Sequence, residues 1–158
     1  MKGRNILIPS ILIVGALGSY YFYRMRTAVE SLTAKITGIA LDWNSTRGSA
    51  FTSLYLSVNV SINNPNPESI RVDGVYMSVI NNGRSVANAN YNTPFTIQGR
   101  STTTAKVSVS IPVLNLYKNV TDAYASLMNK TPLLVSFIGG VNAPVGSIKI
   151  NQTFQLNG

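Results

Sequence analysis

Leu54 to Pro67 reads Leu-Tyr-Leu-Ser-Val-Asn-Val-Ser-Ile-Asn-Asn-Pro-Asn-Pro. Leu54, Leu56, Val58, Val60 and Ile62 take every second position, and Tyr55, Ser57, Asn59 and Ser61 stand between them. Successive side chains of a strand point to opposite faces, so this is a strand with one apolar and one polar face. Pro65 and Pro67 then end it. Neither has an N–H for the ladder, and each drives the asparagine before it, Asn64 and Asn66, into an extended conformation.

Outward from this strand the same period recurs. Ile36 and the run 39–43 read as a first strand, followed by a polar loop around Gly48. Ile70, Val72, Val75, Met77 and Val79 form the next strand, with a phase change and an expected bulge at Gly74. Asn81-Asn82-Gly83 is a hairpin turn, since both central positions tolerate positive φ. The return strand, 85–90, has Val86 as its only large apolar residue and belongs at a sheet edge. A short extended piece at 94–98 and an alternating strand at 103–113 follow. Residues 114–129 change to helical spacing. A strand from Leu133 runs to a connection expected at Gly139-Gly140 and Ala143-Pro144, and residues 148–156 form the last strand. The sum is mainly β: an antiparallel β-sandwich of about seven strands with one inserted helix.

Ile6 to Tyr23 is 18 residues without a charge. As a helix it would extend about 27 Å, close to the hydrocarbon thickness of a bilayer. This predicts an N-terminal transmembrane helix whose anchor residues are Ile6, Leu7, Ile8, Ile11, Leu12, Ile13, Val14, Leu17, Tyr20, Tyr21, Phe22 and Tyr23. Lys2, Arg4, Arg24 and Arg26 would contact headgroups. The alternative is a cleaved signal peptide with its site near Ala16 and Gly18, but the tyrosines and arginines that follow at once favour an anchor. Ala28, Val29 and Leu32 would prolong the helix as a stalk. The expected domains are 1–32, anchor and stalk, and 33–158, sandwich. The expected location is a membrane, single-pass, with the C-terminal domain outside the bilayer.

Composition narrows the chemistry. Charged residues are 11% of 158, against roughly 25% in an average soluble chain. Asn, Ser and Thr take the surface role instead. The net charge is +8, yet beyond the four cations that bracket the apolar segment the basic residues are scattered singly, which argues against nucleic acid. There are no cysteines and no histidines, so thiolate sites, disulfides and the commonest general base are absent. Glu68 and Asp73 flank a strand start and read as solvated acids beside Arg71 rather than a cation site. The Thr102-Thr103-Thr104 hydroxyls have no histidine to activate them. No catalytic residue, metal or cofactor is expected.

The Asn64-Pro65-Asn66-Pro67 corner also carries a resemblance. Val58–Ile62, this corner, Ile70-Arg71-Val72 with Tyr76, Asn82-Gly83, Pro94–Ile97 and the Ser/Thr-rich start of the strand from Ser101 follow one another in the order seen in type 2 late-embryogenesis-abundant proteins, also called the water-stress and hypersensitive-response domain. The resemblance covers about residues 33 to 156. It implies a fibronectin-like sandwich with one helix and no enzymatic activity, here as a membrane-anchored member. With the anchor, it supports a structural or interaction protein whose sandwich packs against other proteins of a membrane-associated assembly, such as a lipid-containing virion or an envelope complex. The alternatives are a membrane-associated desiccation or stress protectant, and a binder of lipid or small apolar ligands lined by Phe51, Tyr76, Phe95 and Phe137.

Overall fold

The computed structural model describes residues 7–117, 120–129 and 131–156. The strand that begins at Leu54 is β2 (Ser53–Asn64), and it is central to its sheet: β1 (Thr33–Leu41) pairs antiparallel on one side and β7 (Ser101–Pro112) on the other. Leu54, Leu56, Val58, Val60 and Ile62 are all buried, as are Ala105, Val107, Val109 and Ile111 of β7. The second sheet has the order β5-β4-β8-β9, from β4 (Gly74–Asn81), β5 (Arg84–Tyr91), β8 (Leu133–Ala143) and β9 (Gly146–Leu156). Val75, Met77, Val79, Val135, Phe137, Val141 and Ile150 bring its inner face against the first. A two-stranded sheet, β3 (Ile70–Val72) with β6 (Phe95–Ile97), closes one end. The result is a β-sandwich of nine described strands rather than the expected seven.

Local chemistry explains the connections. Asn82 and Gly83 have φ of 49° and 75°, the two positive values that a two-residue hairpin between right-twisted strands requires. Strand β5 lies at the sheet edge, as its polar composition predicts. The phase change near Gly74 is not a bulge. The chain leaves the small sheet at Val72 and enters the large one at Gly74, so the two halves of the apolar pattern serve different sheets.

Three other expectations are corrected. Residues 44–49, read as a loop, form most of a short helix, α2 (Trp43–Gly48), and its C-cap Ser49. The Asp42 carboxylate caps it, accepting from the Ser45 N–H at 3.0 Å and the Ser45 hydroxyl at 2.7 Å. Those bonds hold the Asp42 carboxyl below its ordinary pKa. Gly139-Gly140 is not a connection, because β8 runs straight through it. A Cβ at Gly139 would stand 2.0 Å from the Tyr76 carbonyl oxygen, so glycine there allows close approach of β4. The segment 114–129 is a 3-10 turn at Val113–Asn115 followed by a nine-residue helix, α3 (Val120–Met128).

The N-terminal helix, α1 (Leu7–Glu30), overturns the expected transmembrane helix and single-pass topology. No helix among the described residues is long and apolar enough to cross a membrane. Ile6 and the side chains of Leu7, Ile8, Ile11, Leu12, Ile13, Val14 and Leu17 lie outside the described residues, as do Lys2 and Arg4. The described stretch that follows carries Arg24, Arg26 and Glu30 within two turns. Arg24 pairs with Glu68, and Arg26 with Glu30 at 2.9 Å, so the two cations assigned to headgroups have protein partners. Ala28, Val29 and Leu32 are not a free stalk. They are buried with Ile70 in a second small core, against Ala143, Val145 and Ile148.

Val60 is fully buried between Ile36 and Ala105 on the neighbouring strands. Val60→Asp is expected to abolish the cooperative thermal transition. An unpaired buried carboxylate costs more than about 4 kcal/mol, a large share of the roughly 5–15 kcal/mol that keeps a domain folded. Wild-type melting of that variant would place the wrong face of β2 inward.

Candidate functional site

Two features are candidates among the described residues: a polar knot at the Asn-Pro corner and an apolar cleft between the sheet edges.

The inward period of β2 does not stop at Ile62. It runs on to Asn64, which is fully buried. A buried amide must find partners, and this one does. Its Nδ2 donates to the carbonyls of Glu68 (2.8 Å), Gln98 (3.2 Å) and Ile97 (3.4 Å). Its Oδ1 accepts from the backbone N–H and the side-chain Nδ2 of Asn66, both at 3.0 Å. Asn66 passes the connection on: its Nδ2 also donates to the Ala28 carbonyl (3.0 Å) and the Ser31 hydroxyl (2.8 Å) at the end of α1. Its carbonyl accepts from the Arg100 N–H at 2.7 Å. Pro67 packs so closely on the following turn that a Cβ at Gly99 would stand 2.0 Å from the Pro67 carbonyl oxygen. The four motif residues Asn64, Pro65, Asn66 and Pro67 therefore sit where the end of α1, the end of β2 and the β6–β7 turn meet.

The cleft lies at the other seam. Strands β1 and β9 are the facing edges of the two sheets. At the start of β1 they are laced together, the Ile36 N–H donating to the Gln152 side-chain oxygen. The register of β1 on β2 then shifts between Ile36 and Gly38, and such a bulge bends the strand. Past it a partly open cleft of about 220 Å³ lies between the edges. Ile39 and Leu41 of β1, Leu54 and Leu56 of β2, and Leu133 and Leu156 of the second sheet line it. Phe154 reaches it as well, its ring edge-on to the core residue Phe137 at 6.0 Å. Tyr117 and Thr131, which flank α3 in the chain, complete the lining with Gln155. Burial raises the Tyr117 phenol above its ordinary pKa, against an opposing hydrogen bond from Ser126.

The aromatic residues expected to line a ligand site do not meet here. Phe137 is fully buried, Phe51 packs edge-on to Tyr124 at 5.2 Å, Phe95 packs on Tyr91, and Tyr76 is exposed on the outer face. Tyr76 pairs across the strands with Gly140 and lies over it. The strand residues that do line the cleft were visible only as ordinary positions of four strands, and nothing in their spacing marks the gap. Among the described residues no group of three or more His, Cys, Asp and Glu could hold a metal ion. Asp73 pairs with Arg71 at 3.4 Å and Glu68 with Arg24, so the two acids weighed as a cation pair are drawn to different partners.

Asn66→Ala would remove the bonds to Ala28 and Ser31 while leaving the strands paired. We expect amide hydrogen exchange in residues 28–32 to quicken about tenfold, with the strands of the sandwich unchanged. Equal protection in the variant would show that the knot does not hold the helix.

Residues 59–155 match the family described as late embryogenesis abundant protein. No curated protein matches the chain. Solved structures share the fold. An Arabidopsis thaliana protein determined in solution is 18% identical over 78% of this chain and 80% of its own, with a TM-score of 0.58. A late embryogenesis abundant protein, also solved in solution, is 15% identical over 96% of this chain and 87% of its own, with a TM-score of 0.50. A β-glucuronidase of glycoside hydrolase family 2 is 14% identical over 78% of this chain but only 12% of its own, with a TM-score of 0.52. At these identities the likeness is one of fold. The expected structural role in a membrane-anchored virion or envelope assembly is thereby corrected. The family match supports a domain of late-embryogenesis-abundant type, and the helix that carried the anchor reading, with the bilayer as partner and the membrane as location, does not meet the requirements of a span among the described residues. This chain, without cysteine or histidine and matched by that family over more than half its length, belongs to the late embryogenesis abundant protein family and is non-catalytic.

Proposed function

We propose that this protein is a stress protectant of the late-embryogenesis-abundant kind, acting as a folded, hydrated spacer between other macromolecules when water is lost. We place the protective unit in the sandwich, residues 33–158. The observation that carries the reading is the outer face of the β1-β2-β7 sheet. Thr33, Lys35 and Thr37 of β1 and Thr102, Thr104, Lys106, Ser108 and Ser110 of β7 are exposed there, flanking the outward positions of β2. Cross-strand pairs are Ser57 with Ser108, Asn59 with Lys106, Ser61 with Thr104 and Asn63 with Thr102. Strands β1, β2 and β7 contain no carboxylate at all.

Such a face is wetted by hydroxyl and amide groups. That matters during drying. As salt concentrates toward 1 M, the screening length falls to about 3 Å and surfaces kept apart by charge lose that repulsion. Hydroxyl and amide hydration does not depend on unscreened charge, so this face stays solvated when charged faces begin to associate. Family membership supports the same role.

The test is protection of a drying-sensitive enzyme such as lactate dehydrogenase. With the full chain present, recovered activity after drying and rehydration is expected to exceed that with an equal mass of an unrelated β-sandwich. The double variant Ser57→Leu, Ser108→Leu, which makes one outer pair apolar, is expected to lose much of the benefit at unchanged melting temperature. Recovery no better than the unrelated sandwich, or full protection by the double variant, would sink the proposal.

A further inference from the structure

We propose that the outer face of the β1-β2-β7 sheet binds a linear polysaccharide that carries carboxylates at intervals along an otherwise neutral chain. The inference goes beyond the protective role. It uses the same face and needs only that this face is exposed.

Charge sets the sign of the partner. Lys35 of β1 and Lys106 of β7 stand on this face, one on each side of β2, and both are exposed. The ion pairs among the described residues take neither ammonium group. The three strands contain no carboxylate. Asp42, just past the end of β1, is engaged in capping α2, and Lys106 is a minor influence on it. The whole chain carries +8, which draws an anionic polymer toward it.

Spacing then limits the charge density of that polymer. Lys35 lies opposite Ser61, Ser61 lies opposite Thr104, and Lys106 is two residues further along β7. Two strand separations and two residue rises put the lysine Cα atoms about 12 Å apart. A nucleic-acid strand presents a charge about every 3.4 Å, so two cations at this interval would meet few of its phosphates. They suit a polymer whose charges are separated by neutral units.

The neutral groups identify those units. Beside Lys35 lies an open groove of about 380 Å³, lined by Thr33, Ala34, Lys35, Ser61, Asn63 and Thr102. That is within the roughly 300–1,000 Å³ of small-ligand sites. Its hydroxyls and its primary amide each donate and accept, as the hydroxyls of a sugar do. The Thr102 hydroxyl donates to Asn63 Oδ1 at 3.1 Å, which fixes the orientation of that amide. Ala34 is the one apolar member of this lining. An acidic peptide would therefore find no pocket for the anchoring side chains on which protein interfaces depend. Asn59, opposite Lys106, continues the amide and hydroxyl row of β2 toward the second cation.

The experiment is a calorimetric titration of the full chain with hyaluronate, whose uronates alternate with neutral sugars, and with dextran, poly(dT) and polyglutamate for comparison. Hyaluronate is expected to bind at least tenfold more tightly than each of the others. The double variant Lys35→Ala, Lys106→Ala is expected to weaken hyaluronate binding at least tenfold at unchanged melting temperature. Lys149→Ala is the control, since Lys149 is exposed on β9 of the other sheet, and it is expected to bind as wild type. Ser61→Leu obstructs the groove without altering charge and is expected to cost about fivefold or more. Thr102→Leu does the same from β7 and serves if the first variant melts abnormally. Four results would each overturn the site: no binding of hyaluronate, equal or tighter binding of poly(dT) or polyglutamate, equal losses in the double variant and the Lys149 control, or full binding by the obstructed groove. A protein that fails here and still preserves a dried enzyme loses this site and keeps its protective role. One that binds hyaluronate and fails to protect keeps the site and loses the role.

Discussion

The amide of Asn64 is the constraint on which the arrangement turns. It occupies the sixth inward position of a strand whose first five are aliphatic, and it is as deeply buried as they are. Removing such a group from water without partners would cost on the order of several kcal/mol, so its neighbours must be in place whenever the domain is folded. The carbonyls of Glu68, Ile97 and Gln98 converge on its donors, and Asn66 supplies its acceptor with two N–H groups. Both Asn-Pro steps follow from that demand. Each proline extends the asparagine before it, which keeps Asn64 in register with β2 and aims Asn66 back at α1. The corner is a joint, and its asparagines are spent on the protein itself.

The opposite seam is governed by where its two edges meet. Where Gln152 bridges to Ile36, β1 and β9 are close. Where the bulge carries β1 away, a cleft lined by described residues of both sheets lies between the edges. A sandwich has two seams between its sheets, and here one end of one seam stays open. The tight approach of β4 to β8 at Gly139 lies within a sheet and does not compensate for it.

Much of the sandwich was legible in the residues because it depends on period and on turn chemistry. The two faces of β2, the Asn-Gly hairpin and the polar edge strand β5 each have a local signature, and the order of motifs around the Asn-Pro corner points to the family the comparison finds. What was misread depends on partners distant in the chain. Gly139-Gly140 resembles a turn until the Tyr76 carbonyl is seen against it. The polar run after Trp43 resembles a loop until Asp42 is recognised as a cap. Residues 28–32 look like the end of a stalk, because Ile70 and Ile148 stand far off in sequence. An uncharged run of 18 residues suggested a membrane on length and hydropathy alone, which take no account of Glu68 waiting for Arg24. The cleft had no sequence sign, since a one-residue shift in the pairing of β1 leaves its alternation almost intact.

The seams have one more consequence. Strand β5 lies beside β7, and β1 beside β9, so the outermost strands of the two sheets face one another within the same molecule. Open sheet edges are where a second chain can add as a new strand and begin a fibril. Here each outermost strand has a neighbour across the seam, and the most polar of them, β5, offers Val86 as its only large aliphatic residue. A strand added from a second chain would therefore have to displace a contact that the molecule already makes across its own seam.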